Sequence, residues 1–390
     1  MTSREAYILL NRIEGIGPVR VRALCDALGS PEAILSASAS TLSSVRGVGP
    51  KIADLILEQG RQLEAGPEEE AAARLGARIV TPLDEGYPEP LKSIYNPPLC
   101  LYLWGEWRPE DTQALAVVGT RRISSYGQAQ ADRLAYGAAK AGFCIVSGLA
   151  RGIDTVAHRA ALKAGGRTVA VLGGALDCLY PPENRELARE IASGRGAVMS
   201  EFPLGRSPDR TTFPYRNRLV AGLSKGVLVV EAPIDSGAMN TAEQALEQGR
   251  SVMAVPGRVD MEGSRGPHRL IQNGARLVQE VDDMLHEFEF LFSAAERSQI
   301  LQQQDIRPQI PLLPEEERIV RVLWREPELE LDALVRRSEL PAPQVLTLLL
   351  QLEIKKILRR LPGRRLALVD SIRHWSFSES DGDETQSSKG

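Results

Sequence analysis

A chain of 390 residues, 43% hydrophobic and 25% charged, is long enough for two or three packed domains. Its formal net charge of −4 excludes a surface that is basic throughout, so contact with nucleic acid must be a local patch. Four scattered cysteines without a C-x-x-C pair argue against a disulfide framework, and four histidines without metal spacing argue against a zinc site. No apolar run reaches the roughly 18 residues of a membrane span. The start M-T-S-R-E-A-Y lacks a signal-peptide core. The expected location is the cytoplasm, with no metal and no cofactor.

In residues 1–66 one phrase occurs twice: I-E-G-I-G-P at 13–18 and V-R-G-V-G-P at 45–50. Each lies between helix-like stretches, and the pattern resembles a helix-hairpin-helix motif of the SAM-like kind. Its glycines free backbone N–H groups at a helix start, which can hold a DNA phosphate without reading sequence. Arg20, Arg22, Arg46 and Lys51 are near. Such pairs also serve as compact packing units, and a structural or auxiliary role suits this copy somewhat better. Residues 67–112 read as a linker, with an acidic break at 67–70, and then a small extension of the next domain. There prolines bracket short apolar runs, as in edge strands. Trp104 and Trp107 read as packing residues.

Residues 113–290 repeat strand, turn and helix. Apolar runs without alternation at 115–118, 143–146, 168–172, 197–199, 227–230 and 252–255 are strands buried on both faces. Helices are expected at 126–141, 154–164, 183–191, 217–223 and 241–248, which makes a doubly wound α/β domain. A polar loop at 260–267, a helix at 269–273, a strand at 276–278 and a last helix at 281–290 close it. In such a sheet ligands bind beyond the carboxyl ends of the strands. Those ends read Gly119-Thr120-Arg121, Ser147-Gly148, Gly173-Gly174, Ser200-Glu201, Glu231-Ala232 and Pro256-Gly257. The second continues as S-G-L-A-R-G-I-D, where Gly148 and Gly152 admit close backbone approach and Arg151 adds charge. Arg121, Arg122, Arg151, Arg167, Arg185, Arg216 and Arg218 could line or flank the groove, and Ser236-Gly237 opens another helix. The turn G-T-R-R-I-S-S-Y-G is not G-x-G-x-x-G, and no G-x-x-x-x-G-K-[ST] occurs, so dinucleotide and P-loop sites lack support. Ser147 and His158 show no mark of a nucleophile and base. A repeated phosphate site, not a catalytic centre, is the reading.

Residues 291–312 read as a linker. Helices at 315–324, 331–338 and 343–360, a turn at 361–365 and a strand at 366–369 make a winged-helix domain at 313–370. Lys355, Lys356, Arg359 and Arg360 end its third helix, and Arg364 and Arg365 sit on the wing. That arrangement suits duplex DNA phosphates, a solvated face or a protein contact. Residues 371–390 read as a disordered, acidic tail.

S-G-L-A-R-G-I-D with Ala157-His158, V-G-T-R at Gly119, F-P-Y-R-N-R at 213–218, Ser236-Gly237-Ala238 and Val255-Pro256-Gly257 together resemble the DNA-processing protein A (DprA/Smf) family across residues 113–290. The resemblance implies an extended Rossmann-like domain that binds single-stranded DNA. It also implies a homodimer that protects incoming DNA and loads RecA recombinase in natural transformation, with no enzyme activity. It implies a DNA site formed by Gly119, Thr120, Arg121, Ser147, Gly148, Arg151, Gly152, Arg167, Phe213, Arg216, Asn217, Arg218, Ser236 and Gly237. Arg121 would hold a phosphate and Phe213 would stack on a base. Arg167 stands where members often carry Lys, and Arg218 could instead pair with Glu231. Two rival readings remain. One is a nucleotide phosphoribohydrolase-like enzyme, from the faint echo of G-G-x-G-T-x-x-E in Ser236-Gly237-Ala238, Asn240-Thr241 and Glu243. The other is a duplex-binding regulator acting through the winged helix.

Overall fold

The computed structural model describes residues 1–288, 312–326, 328–355, 357–361 and 365–368. These fall into two compact units, split between Gln304 and Asp305. Residues 291–311 of the expected linker at 291–312, the tail, Lys356 and Arg364 lie outside the described residues.

The first unit starts with α1 (Ser3–Arg12), α2 (Pro18–Leu28), α3 (Pro31–Ser36), α4 (Ala39–Ser43) and α5 (Pro50–Gln62). Each hairpin ends in a glycine N-cap followed by proline, Gly17-Pro18 and Gly49-Pro50, which suits a first turn that needs no proline N–H. Arg20 donates to the carbonyls of both hairpins, Gly15 at 2.8 Å and Gly47 at 3.1 Å, and so ties the copies together. The expected acidic break at 67–70 is instead part of α6 (Ala65–Arg74). Its Glu68 is buried because Tyr102 donates to it at 2.7 Å and Arg12 pairs with it at 3.3 Å. Tertiary partners turned a polar stretch into a packed helix.

A nine-stranded sheet follows, built from β1 (Ala77–Val80), β2 (Leu101–Gly105), β3 (Ala114–Val118), β4 (Cys144–Ser147), β5 (Thr168–Val171), β6 (Gly196–Ser200), β7 (Gly226–Val229), β8 (Ser251–Ala254) and β9 (Arg276–Leu277). The order is β1-β2-β6-β5-β4-β3-β7-β8-β9. The seven strands from β6 to β9 in that row are parallel, and β1 and β2 add an antiparallel edge. The helices are α7 (Glu89–Lys92), α8 (Ser125–Lys140), α9 (Ile153–Lys163), α10 (Arg185–Glu190), α11 (Thr212–Leu223), α12 (Gly237–Glu247), α13 (Glu262–Gln272) and α14 (Val281–Glu287). Alternate residues of β3 face opposite layers. Ala114, Ala116 and Val118 pack with α11 and α12, while Leu115 and Val117 pack with α8, α9 and α14. A third cluster joins the amino-terminal helices to β1, β2 and α10, so that domain shares the core of the sheet.

Three helices begin well before the periodicity predicts; α12 starts at Gly237, four residues before 241, because the Ser236 hydroxyl caps it. α11 starts at Thr212, five residues before 217, because the Asp209 carboxylate accepts from the N–H groups of Thr211 and Thr212 at 2.7 and 3.0 Å. F-P-Y-R-N-R is therefore helical. α13 fills most of the expected loop at 260–267 and carries Pro267 inside it. Proline lacks the N–H that would bond the Gly263 carbonyl, and that carbonyl instead accepts from Ala232 at 2.6 Å.

The second unit holds α15 (Pro314–Arg325), α16 (Leu331–Ser338), α17 (Ala342–Ile354) and a sheet β10-β12-β11, from β10 (Leu329–Glu330), β11 (Leu358–Leu361) and β12 (Arg365–Leu368). This is the expected winged-helix arrangement around one apolar core. The third helix ends at Ile354, not 360, because Leu358 and its successors pair with β12. The expected basic helix end therefore does not form. Arg359 and Arg360 are strand residues. Lys355 pairs with Glu316, Arg360 with Glu353 and Arg365 with Glu328.

Candidate functional site

The chain leaves β3 toward β4 on one side and later returns to place β7 on the other, so their carboxyl ends flank a switch point. The two turns there are packed backbone on backbone. Thr120 N–H donates to the Glu231 carbonyl at 2.6 Å, which pins the G-T-R turn to the end of β7. Gly152 has φ +79°, and a Cβ on it would collide with the Thr120 carbonyl. Only glycine meets both conditions. Gly148 is held from two sides. Its N–H donates to Asp154 Oδ2 at 3.0 Å, and its carbonyl accepts from Arg216 Nη1 at 2.9 Å.

A cleft of 290 Å³ opens above this floor. Gly148, Asp154 and Arg216 are among its lining residues, together with Arg121, Phe213 and Asn217. Thr120, Gly119, Ser236 and Gly237 complete the turns around it. Arg121 is exposed, its guanidinium lies 4.8 Å from the Phe213 ring centroid, and no carboxylate among the described residues pairs with it. Ser236 caps α12 through Met239 N–H, and nothing lies within 4 Å of where a Gly237 Cβ would stand. Asn217 Nδ2 donates to the Gly237 carbonyl and to Asn240 Oδ1, both at 3.1 Å, and so joins α11 to the start of α12. The site thus offers an open helix start, one free arginine and a half-buried aromatic face.

The charges below the floor are buried. Burial pulls Arg216 down to about 10, with Asp154 opposing that fall. Burial pushes the Asp154 carboxyl up, while Arg216 and the N–H groups of Ala150 and Gly148 pull it back. Arg216 also donates to the Val171 carbonyl. It is 5% exposed, so it shapes the floor and does not reach out as a free phosphate clamp.

Other expected residues separate. Arg151 lies beside the cleft in a recess with Arg121, Tyr180 and Phe213, and is paired with Glu183. Ser147 is buried, its hydroxyl donating to Val117 at 2.7 Å, and sits behind the turn with Gly152. Arg167 precedes β5, at the amino edge of the sheet, and is bound to Asp111 at 2.6 and 2.8 Å. Arg218 forms a buried bidentate pair with Glu201, at 2.7 and 2.5 Å, and not with Glu231. Glu231 instead accepts from Ser124 N–H at 3.1 Å. Neither Arg167 nor Arg218 belongs to the cleft, because each meets a buried carboxylate elsewhere. Sequence reasoning missed Tyr180, whose ring is 6.3 Å from Phe213, and Arg210, which is exposed three residues before Phe213 and has no carboxylate partner among the described residues. The Y-P-P run and the arginine were the available signals. Glu243, needed for the phosphoribohydrolase echo, lies outside the cleft lining.

A doubly wound sheet with a helix start and a free arginine at its switch point defines a Rossmann-like domain with a candidate anion site. The chain belongs to the DNA recombination-mediator protein A family, DprA/Smf, whose family model matches residues 78–289. A SAM-like helix-hairpin-helix tandem matches 7–61 and a DprA winged helix domain matches 303–364. Protein Smf of Synechocystis is 34% identical, over 93% of this chain and 98% of its own length. Protein Smf of Escherichia coli is 42% identical over 72% of this chain and 74% of its own. The solved structure of DNA processing protein A from Streptococcus pneumoniae superposes with a TM-score of 0.64 at 34% identity, covering 74% of this chain and 98% of that one. The Helicobacter pylori protein, described for a unique single-stranded DNA binding mode, gives 0.50 at 30% identity over 55% of this chain and 97% of its own. No helix among the described residues is long and apolar enough to cross a membrane.

Proposed function

We propose that the chain processes incoming DNA by binding single strands in this cleft and passing them to RecA recombinase. It acts as a homodimer in the cytoplasm, with no chemical step and no cofactor of its own. The observation that carries this reading is the Arg121–Phe213 stack at an open helix start. A guanidinium lying over an aromatic ring places a phosphate ligand beside a surface on which any base can stack. The binding mode named for the Helicobacter pylori relative supports the ligand class. A cleft of 290 Å³ favours a single strand over a duplex.

The test is fluorescence anisotropy with labelled oligo-dT and a matched duplex. Arg121→Ala should weaken oligo-dT binding by roughly ten- to hundredfold, since a charge-assisted hydrogen bond contributes about 1.5–3 kcal/mol. The salt slope should fall by about 0.7 for each phosphate that is no longer neutralised. Equal affinity for duplex and single strand, unchanged by the substitution, would remove DNA from the cleft. RecA loading is read separately, as faster RecA filament growth on single strands when the protein is present. Unchanged growth would refute that step alone.

A further inference from the structure

The recess beside the cleft repeats the cleft's own combination of an arginine and an aromatic ring. Its lining includes Arg121, Phe213, Tyr180 and Arg151. Arg121 lies 4.8 Å from the centre of the Phe213 ring, and Arg151 lies 5.5 Å from the centre of the Tyr180 ring. The two rings are 6.3 Å apart. The four side chains therefore follow one another in a row, with an arginine at each end and two aromatic rings between. Arg151 Nη1 donates to the Tyr180 hydroxyl at 3.3 Å, which holds the guanidinium near the polar tip of the ring. Tyr180 stays 42% exposed. An open aromatic face beside arginine is a surface on which a base of any kind can stack.

The ion pair of Arg151 with Glu183 does not close this arrangement, since both side chains are half exposed. An exposed pair contributes little, because water and salt screen it and two long side chains must be held in one geometry. A phosphate oxygen offers the same guanidinium a charge-assisted bond of the stronger, bidentate kind. The ring geometry also bears on the form of the strand. Neighbouring bases in one strand of a duplex are stacked about 3.4 Å apart. Phe213 and Tyr180 are 6.3 Å apart with their planes at 59°, so two neighbouring bases meet both rings only when the step between them is opened.

We propose that Tyr180 and Arg151 form a second nucleotide subsite, next to the one at Phe213 and Arg121. The base stacks on Tyr180, the phosphate displaces Glu183 from Arg151, and the strand is splayed between the two subsites. This second subsite rests on the cleft itself being a single-strand site.

The test is anisotropy of the full chain on labelled oligo-dT, with Arg121→Ala run alongside. Tyr180→Leu should weaken binding about tenfold by removing one stacking face. Glu183→Gln should tighten binding about two- to fivefold, the weight of an exposed ion pair, and a gain of that kind cannot come from misfolding. In an Arg151→Ala background the gain from Glu183→Gln should vanish, because no guanidinium is left to release. Oligo-dT carrying 5-iododeoxyuridine, irradiated on the protein, should cross-link to Tyr180 as well as to Phe213. A gain from Glu183→Gln that persists without Arg151 would make Glu183 a source of general repulsion and overturn the exchange at Arg151. Unchanged affinity in Tyr180→Leu, or a cross-link at Phe213 alone, with Arg121→Ala still impaired, would overturn the second subsite and leave the cleft in place. Unchanged affinity in both Tyr180→Leu and Arg121→Ala would overturn both.

Discussion

Arg167→Met separates stability from DNA binding. Arg167 gives Asp111 two hydrogen bonds, at 2.6 and 2.8 Å, and gives the Glu106 carbonyl a third at 2.7 Å. Asp111 is fully buried, while Arg167 keeps 17% exposure. Methionine fills part of the stem volume and leaves the carboxylate with the Arg108 N–H, at 2.8 Å, and the weak donor of the Cys144 thiol. Removing one partner of a buried pair costs about 3–5 kcal/mol, and the remaining N–H and the partial exposure place this case near 3. At roughly 2 °C per kcal/mol for a unit of this size, the melting midpoint should fall by about 6 °C. Calorimetry reads that change, and anisotropy on the folded variant should give unchanged oligo-dT affinity. Adding Asp111→Asn should recover part of the stability, because an amide needs no counter-charge. A tenfold drop in DNA affinity with an unchanged midpoint would refute the reasoning and return Arg167 to the DNA.

Three further outcomes follow from the site. Phe213→Leu should cost about 1–3 kcal/mol in single-strand affinity by removing the base-stacking face, read by the same anisotropy, and an unchanged affinity would leave Phe213 as packing only. Gly152→Ala should destabilise the first unit by more than about 2 kcal/mol in urea melts, since it meets both a positive φ and the Thr120 carbonyl, and a neutral result would contradict that turn. His158 is fully buried, and burial and then Arg216 pull its pKa down to about 3. Thr168 gives its hydroxyl proton to the Ile145 carbonyl at 2.6 Å, so the ring's Nδ1 holds the proton shared with Thr168. Folded His158 stays neutral while the unfolded chain takes a proton near 6.5. Its contribution is complete above that pH and is lost as pH falls toward 3, by up to about 1.4 kcal/mol per unit. His158→Gln should flatten that part of the stability profile, and imidazole 15N shifts at pH 5 should still report a neutral ring.

Legibility followed the kind of signal. β3 and β4 were plain because L-A-V-V at 115–118 and F-C-I-V at 143–146 are apolar on both faces. Gly119, Gly148 and Gly152 stood out because turns that pack backbone on backbone exclude other residues, and that constraint is written locally. α11 was read five residues short because its start depends on the Asp209 side chain folding back. α6 read as a linker because its buried Glu68 has partners at Arg12 and Tyr102, far along the chain.

The sequence by itself determined the layer order, the winged-helix unit, the family and the strand-end turns, since periodicity, glycine spacing and short motifs are local properties. Tertiary structure decided which arginines are free. Arg121, Arg167, Arg216 and Arg218 look alike in the chain, yet one is open over Phe213, two are bound to Asp111 and Glu201, and one supports the Gly148 carbonyl from below. A guanidinium's role depends on the carboxylate or carbonyl it meets, and those partners lie between 17 and 68 residues away where they exist. No local pattern carries that distance.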